Sequence, residues 1–535
     1  MTAGAWRLVR LALRRDRVRL PIWILVAMAV TAAGVAAVVD EFPDEASRAE
    51  ALQGAATSPA VLLMRGVPVG TSLGAVVNFR NLASLLVLAA LLSTFAVVRH
   101  TRQNEETGRA ELVGAGSVGR YAGLIAALVV ACGASLVLGL AITLTLLGSG
   151  LPAAGSLAFG TACALTGMAF AGIAAVSAQL FTGARAANAC AAALVGVAYL
   201  VRGIGDALGE VTPDGVTTAW PSWLSPIGWG MLARPYGEER WWVLVLPVLL
   251  LAACVAGAFA LAGRRDLGGG LIPDRPGPAT GSLHGPLGLA WRLNRGLVYG
   301  WVIGAAVAGA GIGSLGATVR DAMTANAGAV KVINQLAGGA GGQLVDVFFA
   351  AMMNVFGVLA ASFAVQALLR LRAEEAGGPG EAVLATAVGR SRWVAAHLAC
   401  AAGGAAAVLL AAGVAMGLAD AAAGGEEGVL TMAGAGLAQL PAALTLAGFV
   451  VLVFGALPRF AVALAWAGLV ATIVWGMFGD MLGLPDAVRD LSPFSHVPAV
   501  PAVAATPGPI LALVGVAAAL AVGGMALFRH RDLAP

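Results

Sequence analysis

The chain predicts an all-α polytopic membrane protein of about twelve transmembrane helices, arranged as two tandem six-helix halves in a parallel pseudo-two-fold arrangement. Three observations lead there. Hydrophobic residues make up 59% of the 535 and charged residues 11%, against about 25% charged in a soluble domain; mean hydropathy is +0.88. Apolar segments near the length of about 20 residues that a helix needs to cross hydrocarbon recur along the chain. A set of short motifs from the first half also returns, in order, in the second.

Apolar runs place spans at 21–39, 81–98, 121–147, 156–181, 187–204 and 242–263, then at 297–317, 348–369, 393–418, 431–454, 461–478 and 508–528. The halves are then 1–263 and 290–535, joined by a cytoplasmic linker, 264–289, rich in proline (Pro273, Pro276, Pro278, Pro286). The run 21–39 is too long for a signal-peptide core and is expected to be retained. Ahead of it, Trp6, Val9, Leu13 and Leu20 share a helical stripe beside Arg7, Arg10, Arg14 and Arg17. That suits a helix lying in the inner interface, Trp at headgroup depth and Arg on anionic lipid; ordinary flanking charge is the alternative. Trp291, Arg292 and Arg295 repeat it in the second half.

With the N-terminus inside, cytoplasmic segments hold better than twice the Arg and Lys of the outer ones. The positive-inside rule therefore places both termini in the cytoplasm; the Ala-, Gly- and Val-rich chain with a single lysine suggests GC-rich bacterial coding, and so the bacterial cytoplasmic membrane. The net charge of +4 reports this sidedness and implies no nucleic acid partner. Outside, 40–74 has room for a short helix. The loop 205–240 carries Trp220, Trp223 and Trp229, followed by Trp241 and Trp242. An aromatic belt accounts for these. The alternative is a re-entrant or outer gating element, in which Pro226 and Pro493 break the helix in both halves.

The repeat is independent of hydropathy. Trp6-Arg7-Leu8-Val9-Arg10 returns as Trp291-Arg292-Leu293-Asn294-Arg295, Leu224-Ser225-Pro226 as Leu491-Ser492-Pro493, and Arg265-Asp266-Leu267 as Arg531-Asp532-Leu533. A charged loop after the second span returns too. It has paired acids (Glu105-Glu106; Glu374-Glu375), a Gly, a third acid (Glu111; Glu381), then Val-Gly-Arg ending at Arg120 and Arg390. A charged loop duplicated in a membrane protein suits reception of a cytoplasmic partner better than chemistry in lipid. In the second copy, Gly377-Gly378-Pro379-Gly380 should break any helix after the acids, so that contact starts only at Glu381 or is weaker, and the halves couple unequally.

Chemistry is sparse. With Lys331 the single lysine, no phosphate-binding loop can be built. There is no HExxH and no GxSxG. The five cysteines lie in apolar segments without metal or disulfide spacing. The histidines are scattered and read as structural or interfacial. Arg80 and Asp346 sit near outer ends, and Asn188, Asn354, Gln179 and Gln366 suit interhelical hydrogen bonding. No metal, catalytic residue or cofactor is expected in this chain.

The segment Glu105-Glu106-Thr107-Gly108-Arg109-Ala110-Glu111-Leu112, followed by Val118-Gly119-Arg120, resembles the loop after the second span of ATP-binding-cassette exporter permeases of the type-2 class. The fused two-copy chain is similar to actinobacterial permeases that export polyketide or polyether antibiotics of the tetronasin type. The resemblance implies six spans per half, an interfacial N-terminal helix and a cytoplasmic coupling helix. Glu105, Glu106 and Glu111, with Glu374, Glu375 and Glu381, would lie on or beside coupling helices docked on a separate ATPase subunit present in two copies. Arg120 would anchor the third span, and Arg390 is its counterpart. ATP and Mg would belong to that partner, and the cargo would be a hydrophobic or amphipathic small molecule. Acids that merely cap a short helix and neutralise nearby arginines are the plain alternative. Two rivals are an ion-coupled multidrug transporter, which needs embedded carboxylates and a GxxxD(R/K)xGR loop, and a lipid-modifying membrane enzyme, which needs a polar catalytic cluster at one interface.

Overall fold

Hydrocarbon offers the backbone no hydrogen-bond partner, so long apolar runs satisfy their N–H and C=O groups internally as helices. The computed structural model describes residues 3–56, 59–212, 215–272, 285–317, 319–320, 344–425, 428–477 and 484–532. Among these residues, eleven helices are long and apolar enough to cross a membrane. The chain divides into two compact units, Met1–Gly277 and Pro278–Pro535. Lys331, His284, Leu533 and the linker prolines Pro273, Pro276 and Pro278 lie outside the described residues.

Unit 1 opens with α1 (Ala5–Arg15) and α2 (Arg19–Glu41), followed by α3 (Glu45–Ala56) and α4 (Pro59–Arg65), two short helices where one was expected. Then come α5 (Leu73–His100), the short α6 (Arg102–Glu106) and α7 (Arg109–Gly114), and the spans α8 (Ala122–Gly148), α9 (Ala153–Leu180) and α10 (Ala184–Ala207). A two-residue β-hairpin, Val211–Thr212 with Gly215–Val216, interrupts the helices. The unit closes with α11 (Pro226–Leu232) and α12 (Val245–Ala262). α5 and α9 are the most buried spans. Small residues let the backbones meet: a Cβ on Gly160 would overlap Thr143 Oγ1 and the Gly139 carbonyl, so α8 and α9 touch along glycine.

α5 begins eight residues before the expected 81, so Arg80 sits within it and ion-pairs with Glu41. α11 settles the reading of the Trp-rich loop. Ser225 caps it by accepting from Gly228 N–H at 3.0 Å and donates to the Ala198 carbonyl of α10. Pro226 occupies the first helical position, where its missing N–H costs nothing. Gly230 abuts Leu86 and Thr166, which lie midway along α5 and α9. The element re-enters the bundle; the tryptophans flank it, with Trp223 stacked on Trp242 at 5.7 Å.

Unit 2 comprises α13 (Gly285–Ser314), α14 (Leu344–Ala376), α15 (Pro379–Leu384), α16 (Arg390–Ala422), α17 (Val429–Ala438), α18 (Leu440–Ala456), α19 (Ala461–Met477), α20 (Asp486–Arg489) and α21 (Pro507–His530). Phe349, Phe356 and Phe363 of α14 form its fully buried centre. One expectation is corrected. Trp291, Arg292 and Arg295 form no separate interfacial helix: they lie in the first turns of the continuous 30-residue α13, which also takes up 285–289 of the expected linker. In unit 1 the helix breaks at Asp16, whose carboxylate pairs with Arg99 and His100; the aligned stretch Leu297–Trp301 holds no charged residue, and its Trp301 donates to Gln366 from within the continuous helix. The expected span 431–454 lies within the membrane-crossing stretch Val429–Ala456, with a one-residue turn at Gln439 between α17 and α18. α19 covers 461–477 of the expected span 461–478, and residue 478 lies outside the described residues. Pro493 starts a single helical turn, Pro493–His496, and Ser492 before it donates to the Thr472 carbonyl of α19, as Ser225 does to α10.

Candidate functional site

The duplicated charged loop is held in each unit by the same clip. In unit 1, Glu105 on α6 receives a bidentate pair from Arg265, beyond the end of α12 (2.7 and 2.9 Å), and a further bond from Arg102 at 2.8 Å. In unit 2, Glu375 at the end of α14 receives Arg531, beyond the end of α21, at 2.8 and 2.9 Å, and Arg372 at 3.4 Å. Bidentate Arg–carboxylate pairs fix geometry as well as charge. Glu105 and Glu375 side chains are only 9% and 3% exposed, so neither is a free docking acid.

The clip corrects the register of the repeat. Reading the paired acids in order matched Glu105 with Glu374. By geometry, Arg102, Glu105 and Arg265 correspond to Arg372, Glu375 and Arg531. Glu374 instead pairs one turn back with Arg370 at 3.0 Å. Glu106 accepts from the Ala184 N–H at 2.7 Å and so caps the start of α10. Of the acids named on the loops, Glu106, Glu111 and Glu381 are exposed; Glu111 and Glu381 each sit in the first turn of a short helix, where a carboxylate suits the helix dipole.

The glycine-proline stretch breaks the helix after the paired acids: α14 ends at Ala376, and α15 starts afresh at Pro379 with Glu381 in its first turn. Gly378 takes the left-handed turn at φ 90°, as Gly108 does at φ 68°, and Pro379 enters at the first helical position of α15, so the same residues end one helix and start the next. The tips differ in bulk. Leu112 on α7 is 80% exposed, and the matching position on α15 is Ala382.

Arg120 and Arg390 also act across the bundle. Arg120 donates to the carbonyls of Ala262, Gly263 and Arg265 at 3.1–3.2 Å. Arg390 donates to those of Phe528, Arg529 and Arg531 at 2.6–3.3 Å. Each guanidinium satisfies the open C-terminal carbonyls of its unit's last span, where the helix dipole favours a cation. Arg265 and Arg531, the clip residues that the loop motif does not contain, had a signal in the sequence: the return of Arg-Asp-Leu after the sixth span.

α1 joins this cluster in unit 1. Val9 and Ala12 pack on Ala126 and Val130 of α8, while Trp6, Arg7 and Arg10 are exposed. Arg15 donates to Asn104 beside the clip at 2.7 Å. Asp16 pairs with Arg99 at 2.8 Å and with His100 at 2.6 Å. Burial would raise the Asp16 carboxyl. The His100 hydrogen bond and the charges of His100, Arg99 and Arg19 outweigh it and hold the group below its ordinary 3.8.

Among the described residues, no three His, Cys, Asp or Glu come together to hold a metal. The cysteines are free. Besides Asp16 and Glu375, two further carboxylates are buried at helix ends: Asp206, paired with Arg202 at 3.2 Å, and Asp420, paired with Arg320 at 2.8 Å.

Stacked apolar spans carrying charged clips at one end define a helical membrane transporter component. The family model described as "Multidrug efflux system permease Rv1217c, C-terminal domain" matches residues 283–529. The multidrug efflux system permease protein Rv1217c of Mycobacterium tuberculosis (strain ATCC 25618 / H37Rv) is 40% identical over 536 residues, covering 99% of this chain and 95% of that one. The chain belongs to this family of multidrug efflux system permeases: a bacterial membrane protein and a transport subunit rather than an enzyme.

Proposed function

We propose that the chain is the membrane subunit of an ATP-driven exporter of hydrophobic or amphipathic compounds, energised by two copies of a separate ATP-binding-cassette ATPase. Each copy docks on one short helix, α7 or α15, and both termini lie in the cytoplasm. ATP and Mg sit on the partner. Multidrug cargo is in keeping with the printed name of the relative, and polyketide or polyether antibiotics of the tetronasin type are the narrower proposal. One observation carries the reading: in both units a buried carboxylate just ahead of the short helix, Glu105 on α6 before α7 and Glu375 at the end of α14 before α15, is bound to the arginine that follows the last span. A push on such a helix reaches two spans at once rather than being lost in a loose loop. Glu111, Leu112 and Glu381 are then contact residues, whereas Glu105, Glu375, Arg120 and Arg390 transmit.

Ion-coupled export is the second reading, favoured by the buried Asp420 with Arg320. Co-purification from native membranes and reconstitution separate the two. The expected result is a P-loop partner at about two copies per chain, reduced by Glu111→Ala with Glu381→Ala, and drug transport that requires ATP. Transport by the chain alone on an ion gradient, abolished by Asp420→Asn, would overturn the ATP-driven reading.

A further inference from the structure

Unit 1 contains a cavity of about 850 Å³ between α1, α7 and the first turns of α8. Its volume falls in the range of about 300–1,000 Å³ usual for sites that take a drug-sized ligand. Its wall is apolar (Leu8, Leu11, Leu112, Leu124) and its rim carries Arg15 and Arg109. Glu105 and Asp266 also line it, together with His100, Arg120 and Arg265; Glu105 is already neutralised by Arg102 and Arg265, and the remaining guanidinium groups, Arg15, Arg109 and Arg120, outnumber Asp266. Arg109 makes no ion pair among the described residues, and the neutral Asn104 is the hydrogen-bond acceptor for Arg15.

The repeat shows that this space is not a generic gap. Through the matched caps Arg120 and Arg390, Gly123 corresponds to Trp393, and Ala262 to Phe528. In unit 2 those two aromatics are buried against each other, with ring centroids 5.9 Å apart. In unit 1 Gly123 and Ala262 line the cavity, and a Cβ on Gly123 would meet nothing within 4 Å. One unit fills the position with side chains, and the other keeps it open beneath a basic amphipathic helix.

We infer that this cavity is a binding site for an anionic phospholipid, its phosphate on Arg15 and Arg109 and the upper part of an acyl chain along Leu8, Leu11 and Leu124. The unbalanced guanidinium groups select an anion. α1, with Trp6, Arg7 and Arg10 exposed, places the opening at the lipid interface. The inference is independent of how transport is energised.

The test uses the full chain in mild detergent, with native mass spectrometry counting adducts of dioleoyl-phosphatidylglycerol or dioleoyl-phosphatidylcholine. The expected result is one saturable phosphatidylglycerol site, preferred over phosphatidylcholine on the order of tenfold. Arg15→Gln with Arg109→Gln should bring the two lipids close to parity. Gly123→Trp, which copies unit 2, should remove the site while elution and melting stay unchanged. Arg7→Gln with Arg10→Gln, on the outward face of α1, should lower affinity less. Equal binding of both lipids by the unaltered chain would overturn the inference. So would full phosphatidylglycerol binding by the Arg15/Arg109 variant, or by a folded Gly123→Trp variant. An Arg7/Arg10 loss as large as the Arg15/Arg109 loss would also overturn it, because it would assign the preference to the general field of α1. If Gly123→Trp fails to fold, the two arginine pairs decide alone.

Discussion

Glu105 and Glu111 stand six residues apart on one loop and do opposite work, which a pair of variants separates. Glu105 is buried and holds two arginines, and Glu111 is exposed. Glu105→Gln leaves Arg102 and Arg265 without their counter-charge, a change worth about 3 kcal/mol when a buried pair is broken. The expected outcome is a clearly lower melting temperature for the purified chain, and the same for Glu375→Gln in unit 2. Glu111→Gln should leave melting within error and weaken only partner binding. Asp16 gives a pH test. Its folded carboxyl lies below 3.8, so the stability it contributes is present above that pH and is lost as pH falls through the lower folded value. Hydrogen-exchange protection over α1, corrected for the intrinsic pH dependence of amide exchange, should therefore be high above the ordinary carboxylate range and fall as pH drops below it. In Asp16→Asn, the corrected protection should already be low above that range and change little as pH falls.

Helices rather than side chains decide what the glycines do. Gly160 brings α9 against Gly139 and Thr143 of α8, whereas a Cβ on Gly133 of the same α8 meets nothing within 4 Å. Gly160→Ala must push the two helices apart and should cost about 1–3 kcal/mol, the usual penalty of overpacking. Gly133→Ala should be neutral or slightly stabilising, because it removes backbone freedom from the unfolded chain. Thermal melts of the two variants in one detergent check both. At this scale the sequence was readable wherever a run of some 20 apolar residues was bounded by charge. It misled where tertiary contact decides. Asp16 breaks α1 from α2 because His100 and Arg99 receive it, and no such partner interrupts α13, so matching Trp-Arg motifs start different helices. Gly378-Pro379, by contrast, acts as the break its composition implies, and the same glycine turn and proline also begin α15.

For the whole molecule, the two-fold repeat was legible, but its register lay in the spacing of the loop and not in the order of the paired acids. The common offset of Glu111 to Glu381 and of Arg120 to Arg390 matches Glu105 with Glu375, and the arginine that reaches it from more than 150 residues away shows the same match in three dimensions. The same distance hid Arg120 as a cap on the last span of its unit. What the repeat leaves unequal is the tip of each short helix, and that yields the strongest test of the two-partner proposal. Leu112 is 80% exposed on α7 where α15 carries Ala382. An exposed leucine seated in a partner's groove is desolvated on docking and contributes about 1.5–3 kcal/mol when fully buried. An alanine in the same place contributes far less. Leu112→Arg replaces that burial with a charge that the groove must desolvate, so the copy docked on unit 1 should be lost while the copy on unit 2 remains. Native mass spectrometry of the assembled exporter should then fall from two ATPase copies to about one. Ala382→Arg should remove the other copy, and the double variant both. ATP-driven transport should fail in each single variant, since closure of the nucleotide sites needs both copies. Retention of two ATPase copies by Leu112→Arg would mean that α7 is not a docking helix, and the exposed face of α1 would be the next place to look.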